Sequence, residues 1–134
     1  MEEIKSGKLK TIAGNNRLIV DGGHNISASL SIANWIKNQN QEVNLIVGMM
    51  KDKEHIEFIK SFRNIVNSIT LIDIPNQHGA ISKEDLESKL NDLNLNIKRS
   101  QSIESAIKSL SKNKNTITVC IGSLYLAGEI LKLN

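Results

Sequence analysis

Residues 17–25 read Arg-Leu-Ile-Val-Asp-Gly-Gly-His-Asn, a short apolar run that gives way to a polar, glycine-containing turn. Runs of the first kind form buried strands, and two successive glycines let the backbone turn sharply. From about residue 27 to residue 38, apolar side chains then recur at helical spacing, as at Leu30, Ala33 and Ile36. A strand, a tight turn and an amphipathic helix in this order predict the start of a β-α-β unit.

The same alternation continues along the chain. Further strands are predicted at residues 43–48, 68–74 and 116–121, with a weaker one at 95–98, and helices at residues 55–62, 82–93, 102–111 and 123–133. The strand segments are uninterrupted apolar runs, as expected for strands that are buried on both faces. The fold class is therefore predicted to be α/β, a Rossmann-like three-layer domain with a mostly parallel sheet and helices on both faces.

The first residues fit this pattern less well. Residues 1–7 are interpreted as a linker that leads into the domain, and residues 8–12 alternate in the manner of an edge strand. Residues 1–134 are predicted to form one domain, with residues 1–7 as its link to a missing domain, because 134 residues with 40% hydrophobic content suffice for a single core.

Composition narrows the function classes. The net charge is +3, and the lysines are scattered among acidic residues, which argues against a nucleic-acid-binding face. No apolar segment is long enough for a membrane span or a signal core, so the chain is expected to be soluble and cytoplasmic. The single cysteine, Cys120, lies in an apolar run and is interpreted as a small buried hydrophobe.

Polar and glycine-containing clusters follow four of the predicted strands, at residues 21–25, 48–54, 75–80 and 122–125. In an open parallel sheet, ligands bind in the crevice beyond the carboxyl ends of the strands. The sequence therefore predicts a binding site along one edge of the sheet.

The first cluster suits a nucleoside. The carboxylate of Asp21 could accept two hydrogen bonds from vicinal hydroxyls, as on a ribose, while His24 and Asn25 stand at a helix amino terminus. The equally open alternative is a plain turn in which Asn25 or Ser27 caps the helix.

The other polar residues have simple structural interpretations. The charged run at residues 51–54 is typical of a solvated loop, His55 and His78 of surface or capping positions, and Ser123 of a helix cap. The chain has no histidine pair or cysteine pair at zinc-ligand spacing, so no protein-built metal site is expected. It also has neither a phosphate-binding P-loop nor a Gly-x-Gly-x-x-Gly fingerprint, which disfavours both triphosphate binding of that kind and NAD binding.

Three segments together point to a family. Residues 21–26 read Asp-Gly-Gly-His-Asn-Ile, Gly48 is followed by Asp-Lys-Glu at residues 52–54, and residues 122–129 read Gly-Ser-Leu-Tyr-Leu-Ala-Gly-Glu. In this order and spacing they resemble the motifs in the carboxyl-terminal domain of folylpolyglutamate synthase/dihydrofolate synthase, within the Mur ligase superfamily. The resemblance spans nearly the whole chain, and the last motif is the most specific.

The resemblance implies an ATP-dependent ligase that adds L-glutamate to dihydropteroate, to a folate polyglutamate, or to both, through an acyl phosphate. ATP and Mg²⁺ would be held mainly by an absent amino-terminal and central ligase domain, so the chain alone is expected to be inactive. Asp21 would bind the ribose beside His24 and Asn25, and Lys8 would meet the γ-phosphate. The substrate-binding residues implied by the family are Gly48, Asp52, Lys53, Gly122 and Ser123.

Departures from the family pattern weaken some of these roles. Lys8 stands where the family has the arginine of Pro-Gly-Arg, which keeps the charge but loses the bidentate fork. Ile26 replaces a proline, and Gly79-Ala80 replaces an Arg-Ala pair, so that arginine's role cannot be carried over. Two other hypotheses stay open: a free-standing ligand-binding or interaction module without catalysis, and a flavodoxin-like or receiver domain, for which no flavin loop or acidic pocket is evident.

Overall fold

A computed structural model describes all residues, 1–134, and shows an α/β domain. Its strands are β1 Glu2–Ile4, β2 Arg17–Val20, β3 Val43–Val47, β4 Ser68–Leu71, β5 Ile97–Arg99 and β6 Ile117–Ile121. Its helices are α1 Lys8–Ala13, α2 Ile26–Lys37, α3 His55–Lys60, α4 Lys83–Lys89, α5 Ile103–Leu110 and α6 Leu124–Leu133, with a short 3-10 turn at Asn91–Leu93. The strands and helices predicted between residues 17 and 133 are all present, which confirms the predicted fold class.

The six strands form one sheet in the order β1-β2-β6-β3-β4-β5. All neighbours are parallel except β1, which pairs antiparallel to β2 with Ile4 opposite Leu18. β6, the last strand in the sequence, lies between β2 and β3, with Cys120 opposite both Val20 and Ile46. This order sets the carboxyl ends of β2, β6, β3 and β4 side by side.

Both faces of the sheet are covered. Ile19, Leu45 and Val119 point to a core formed with α2, α3 and α4, while the alternate residues Ile46 and Cys120 point to a second core formed with α1, α5 and α6. The residues of β3, β4 and β6 are all buried, as are those of β2 except Arg17, so these central strands read as continuous runs of mainly apolar residues. Burial raises the pKa of the Cys120 thiol to about 12, as expected for the inert buried hydrophobe predicted from sequence.

The amino-terminal predictions were wrong in part. Residues 8–12 are not an edge strand but lie in α1, because Leu9 and Ala13, four residues apart, are both buried against the second core. The edge strand is instead Glu2–Ile4, inside the segment interpreted as a linker. Arg17 secures it by donating from Nη2 to Glu3 Oε1 (2.9 Å) and from Nε to Glu3 Oε2 (3.3 Å), a bidentate pair that also lowers the pKa of Glu3. A connection of this strand to an upstream domain stays a prediction.

Helix α4 begins with two side chains that satisfy its free N–H groups. Ser82 Oγ accepts from Asp85 N (3.1 Å), and Asp73 Oδ1 accepts from Lys83 N (2.8 Å). Asp73 Oδ2 also lies 2.9 Å from Lys83 Nζ. Partial burial of Asp73 opposes its ionisation, but the ammonium and N–H of Lys83 outweigh this, so the pKa of the carboxyl lies below its ordinary value.

This pair predicts a pH-dependent contribution to stability. Because the pKa of Asp73 is lowered in the folded chain, its contribution is present above the unfolded-state pKa and is lost as pH falls through the folded-state value. Asp73→Asn should lower the free energy of unfolding by about 0.5 kcal/mol at pH 7, since the side chain is half exposed, and by nothing measurable near pH 2. Urea unfolding at both pH values measures this. Asp92→Asn, at an exposed acid without an ion pair, is the control, and an equal loss in both variants would contradict the assignment.

Candidate functional site

The loops at the carboxyl edge of the sheet are joined by backbone hydrogen bonds. Gly122 N, after β6, donates to Gly23 O, after β2, at 3.0 Å. On the other side of β6, Gly48 N donates to Ile121 O at 3.4 Å. The turns that follow β2, β6 and β3 therefore form one continuous surface.

A second set of bonds ties the loop after β3 to the loop after β4. Lys51 N donates to Gly79 O (2.8 Å), and Ile81 N donates to Met49 O (2.9 Å), so that Met50 and Ala80 form an isolated antiparallel bridge. The loop at residues 48–54 is thus held between β6 and the loop after β4. Four of the predicted polar clusters lie next to one another, as the parallel topology requires.

A cavity of about 290 Å³ opens among these loops. Four of the predicted site residues line it, namely His24, Asp52, Lys53 and Ser123, and the remaining wall is formed by Met50, Leu124 and Tyr125. Residues from three separate loops, distant in sequence, therefore converge on one cavity that combines a cation, a carboxylate, an imidazole and a hydroxyl.

His24 and Ser123 are held in place by hydrogen bonds within their own turns. His24 Nδ1 donates to Gly22 O (3.0 Å), which leaves Nε2 of a neutral ring free to accept. Ser123 is buried, and its Oγ accepts from Tyr125 N (3.0 Å) at the start of α6. Ser123 is therefore the helix cap expected from sequence, and its hydroxyl hydrogen remains available to a further acceptor.

Asp21 and Asn25 do not line this cavity. Asp21 Oδ1 accepts from Gly23 N (2.7 Å), and Oδ2 lies 3.2 Å from the amino group of Met1. Its carboxylate borders a separate depression of about 480 Å³ along α2, which Trp35 also lines. Asn25 Oδ1 accepts from Ala28 N (2.8 Å), so Asn25 acts as the amino-terminal cap of α2. The predicted nucleoside cluster is thus divided between two neighbouring recesses.

Gly48 and Gly122 are structural in this arrangement. Both are buried, and neither lines the cavity. Gly122 has φ +115°, and a Cβ added there would lie 2.5 Å from Gly48 O. The backbones of the two loops can approach this closely only because position 122 has no side chain.

Lys8 lies apart from these residues. It begins α1, its Nζ is 3.5 Å from Glu104 Oε2, and its backbone N donates to Asn134 O (3.3 Å). Neither its ion pair nor its backbone bond joins it to the cavity or to Asp21. Its side chain is 59% exposed, so it is free to adopt other positions.

His55 is a residue whose position the sequence interpretation missed. It was expected at the surface or as a cap, whereas its side chain is only 3% exposed and Nε2 lies 2.7 Å from Met50 O. His78, on the neighbouring loop, is exposed as expected. The signal for burial was present in the spacing, because His55 lies three and four residues before the fully buried Phe58 and Ile59.

The cavity contains no metal centre formed by the chain. No three side chains among histidine, cysteine, aspartate and glutamate are grouped so as to hold an ion. The chain therefore offers no site built from three of its own side chains for Mg²⁺. The helices are also too short or too polar for any of them to span a bilayer.

Comparison with known families identifies the domain. Residues 5–133 match the family described as the dihydrofolate synthetase C-terminal domain, which is nearly the whole chain. The chain belongs to this family. The resemblance stated from the sequence motifs is thereby confirmed. No curated protein gives a significant match to this dihydrofolate synthetase C-terminal domain.

Solved structures of longer enzymes contain the same fold. A folylpolyglutamate synthase of Mycobacterium tuberculosis, complexed with ADP and AMPPCP, is similar with a TM-score of 0.75 and 14% identity over 87% of this chain and 29% of its own. FolC of E. coli, complexed with DHPP and ADP, is similar with a TM-score of 0.74 and 19% identity over 87% of this chain and 28% of its own. A folylpolyglutamate synthase of Thermotoga maritima is similar with a TM-score of 0.73 and 18% identity over 87% of this chain and 27% of its own. The domain thus spans less than a third of these enzymes, and at such identities the likeness shows the fold.

Substitution by alanine should change stability in opposite directions at Gly122, which lies between β6 and α6, and at Gly128, which lies within α6. Gly122→Ala forces a side chain onto Gly48 O at a positive φ and should destabilise the domain by about 1–3 kcal/mol. Gly128 lies inside α6 with no atom within 4 Å of an added Cβ, so Gly128→Ala should stabilise by about 0.5–1 kcal/mol. Urea midpoints measure both. A neutral Gly122→Ala would refute the close approach of the two loops.

Proposed function

We propose that this chain is the carboxyl-terminal part of an ATP-dependent ligase that joins L-glutamate to dihydropteroate or to a folate polyglutamate. The observation that carries the proposal is the convergence of His24, Asp52, Lys53 and Ser123 on one cavity, in a domain of the dihydrofolate synthetase family. The cavity opens at the carboxyl edge of the sheet, where a second domain could close over it.

The nucleoside would lie on the α2 side of this edge. The carboxylate of Asp21 ends β2 beside a depression that Ala28, Ile32 and Trp35 make largely apolar. A carboxylate next to an apolar wall suits a sugar with vicinal hydroxyls and an attached base. The contact between Asp21 and the backbone nitrogen of Met1 would then have to give way to the ribose. His24 lines the cavity and not this depression, and Asn25 contributes by capping α2, the helix along which the depression lies.

The cavity itself fits the amino acid substrate. L-glutamate carries an ammonium and two carboxylates, and the cavity offers the carboxylate of Asp52, the ammonium of Lys53 and the hydroxyl of Ser123. Opposite charges on facing groups would orient the incoming amine rather than react with it. Gly48 and Gly122 would support this by fixing the two loops and not by touching the ligand.

Lys8 would serve the γ-phosphate. Its partner Glu104 is 3.5 Å away and both side chains are more than a third exposed, so the pair is weak and easily exchanged for a phosphate. The chain has no P-loop and no metal cluster, so the remaining phosphate contacts and Mg²⁺ belong to the part of the enzyme outside this domain. The domain's own contribution to acyl-phosphate chemistry is positioning and charge.

The nucleotide assignment is tested by titrating the isotopically labelled domain with ATP and following backbone amide shifts. The amides of residues 21–25 and of Lys8 should move together and saturate at millimolar ATP. Asp21→Asn should weaken this response, whereas Asp92→Asn, at an exposed acid in the 3-10 turn before β5, should leave it unchanged. Shifts confined to other surfaces would contradict the assignment; no shift at all calls for the titration to be repeated with the upstream domain present.

A second prediction concerns activity. The isolated chain should show no glutamate-dependent release of ADP with dihydropteroate or folate as acceptor, because the groups that would hold the phosphates are absent from it. A coupled assay for ADP measures this, with a complete enzyme of the family as the positive control. Turnover by the chain alone would show that these 134 residues hold a complete site.

A further inference from the structure

His55 does not line the cavity, although Lys53, two residues before it, does. It occupies the first position of α3, and its Nε2 is 2.7 Å from the carbonyl oxygen of Met50. Because a carbonyl can only accept, Nε2 must carry the hydrogen of this bond. The bond spans five residues and therefore closes the turn that runs from Lys51 to Lys53.

That turn is anchored at two ends. Its entrance is fixed by the backbone bridge between Met50 and Ala80, and its exit by the His55 ring at the start of α3. Between these anchors, Asp52 and Lys53 take part in none of the ion pairs of the domain. The positions of these two charged groups therefore depend on the backbone of the turn and not on ion-pair partners.

We infer that His55 is a positioning residue for the cavity: its hydrogen bond to Met50 holds the turn that presents Asp52 and Lys53 to the ligand. The inference rests on the proposed function for what the ligand is, but the geometry of the turn can be tested without it. A purely structural histidine would instead fill space beneath α3, and any polar side chain of similar size that packs there would replace it.

Two substitutions of nearly equal chemistry separate these roles. The amide nitrogen of glutamine reaches about as far as Nε2 of histidine, whereas that of asparagine stops near Nδ1. His55→Gln should therefore keep the bond to Met50 O, and His55→Asn should leave that carbonyl without its donor. His78→Asn makes the same change at an exposed histidine on the neighbouring loop and serves as the control.

The first measurement is the amide spectrum of the labelled domain. In His55→Asn the amides of residues 51–53 should shift and exchange faster with solvent, while in His55→Gln and His78→Asn they should stay near their wild-type positions. The inference is overturned if the asparagine variant leaves the turn unchanged, or if glutamine and asparagine disturb it equally.

The second measurement is the affinity of the same variants for L-glutamate, followed by the shifts of the cavity residues. His55→Asn should weaken binding about tenfold and His55→Gln by no more than about threefold, since only the former loses the bond. Wild-type affinity in His55→Asn would overturn the positioning role even if the turn had moved. If the wild-type domain and Lys53→Ala respond alike to glutamate, the proposed ligand is wrong, and the amide spectra alone decide the role of His55.

Discussion

The close approach of the backbones at Gly48 and Gly122 is the constraint on which the site depends. β6 enters the sheet between β2 and β3, so the turn that follows it must pass over the ends of both neighbours. It does so with φ +115° at Gly122, where an added Cβ would lie 2.5 Å from Gly48 O. The same turn donates from Gly122 N to Gly23 O, so one residue without a side chain joins three loops. Moving this turn outward would displace Ser123, Leu124 and Tyr125, which form one wall of the cavity.

At this edge of the sheet, hydrogen bonds fix the backbones of the loops, whereas the charged side chains of Asp52 and Lys53 have no ion-pair partners. Backbone bonds fix the loops after β2, β3, β4 and β6, and the imidazole of His55 adds one side-chain bond to the frame. The groups suited to a ligand, Asp52 and Lys53, take part in no ion pair. Charges that are unpaired but held in place can meet a ligand with little reorganisation, which is how a site supplies orientation.

The order of strands and helices could be predicted from hydrophobic spacing because the four central strands, β2, β6, β3 and β4, bury both faces and the helices bury one. The structure at the amino terminus could not be predicted in this way. Residues 8–12 alternate between polar and apolar as a strand does, but they form a helix in which Leu9 and Ala13 share one buried face. The pairing of Glu3 with Arg17 is likewise a contact across strands that local pattern does not reveal. His55 shows a different limit: its spacing from Phe58 indicated burial, but its bond to Met50 O depends on a loop conformation that no periodicity encodes.

Helix capping and ligand binding are compatible roles for the polar residues at the starts of α2 and α6. The structure makes Asn25 and Ser123 caps, each accepting from a backbone N–H. A cap uses only one acceptor position of its side chain, so the amide hydrogens of Asn25 and the hydroxyl hydrogen of Ser123 are not consumed by it. Ser123 lines the cavity, so its hydroxyl hydrogen is at the place where a ligand would bind. Capping therefore fixes the rotamer of the very group that would donate to a carboxylate, and the two interpretations describe one arrangement.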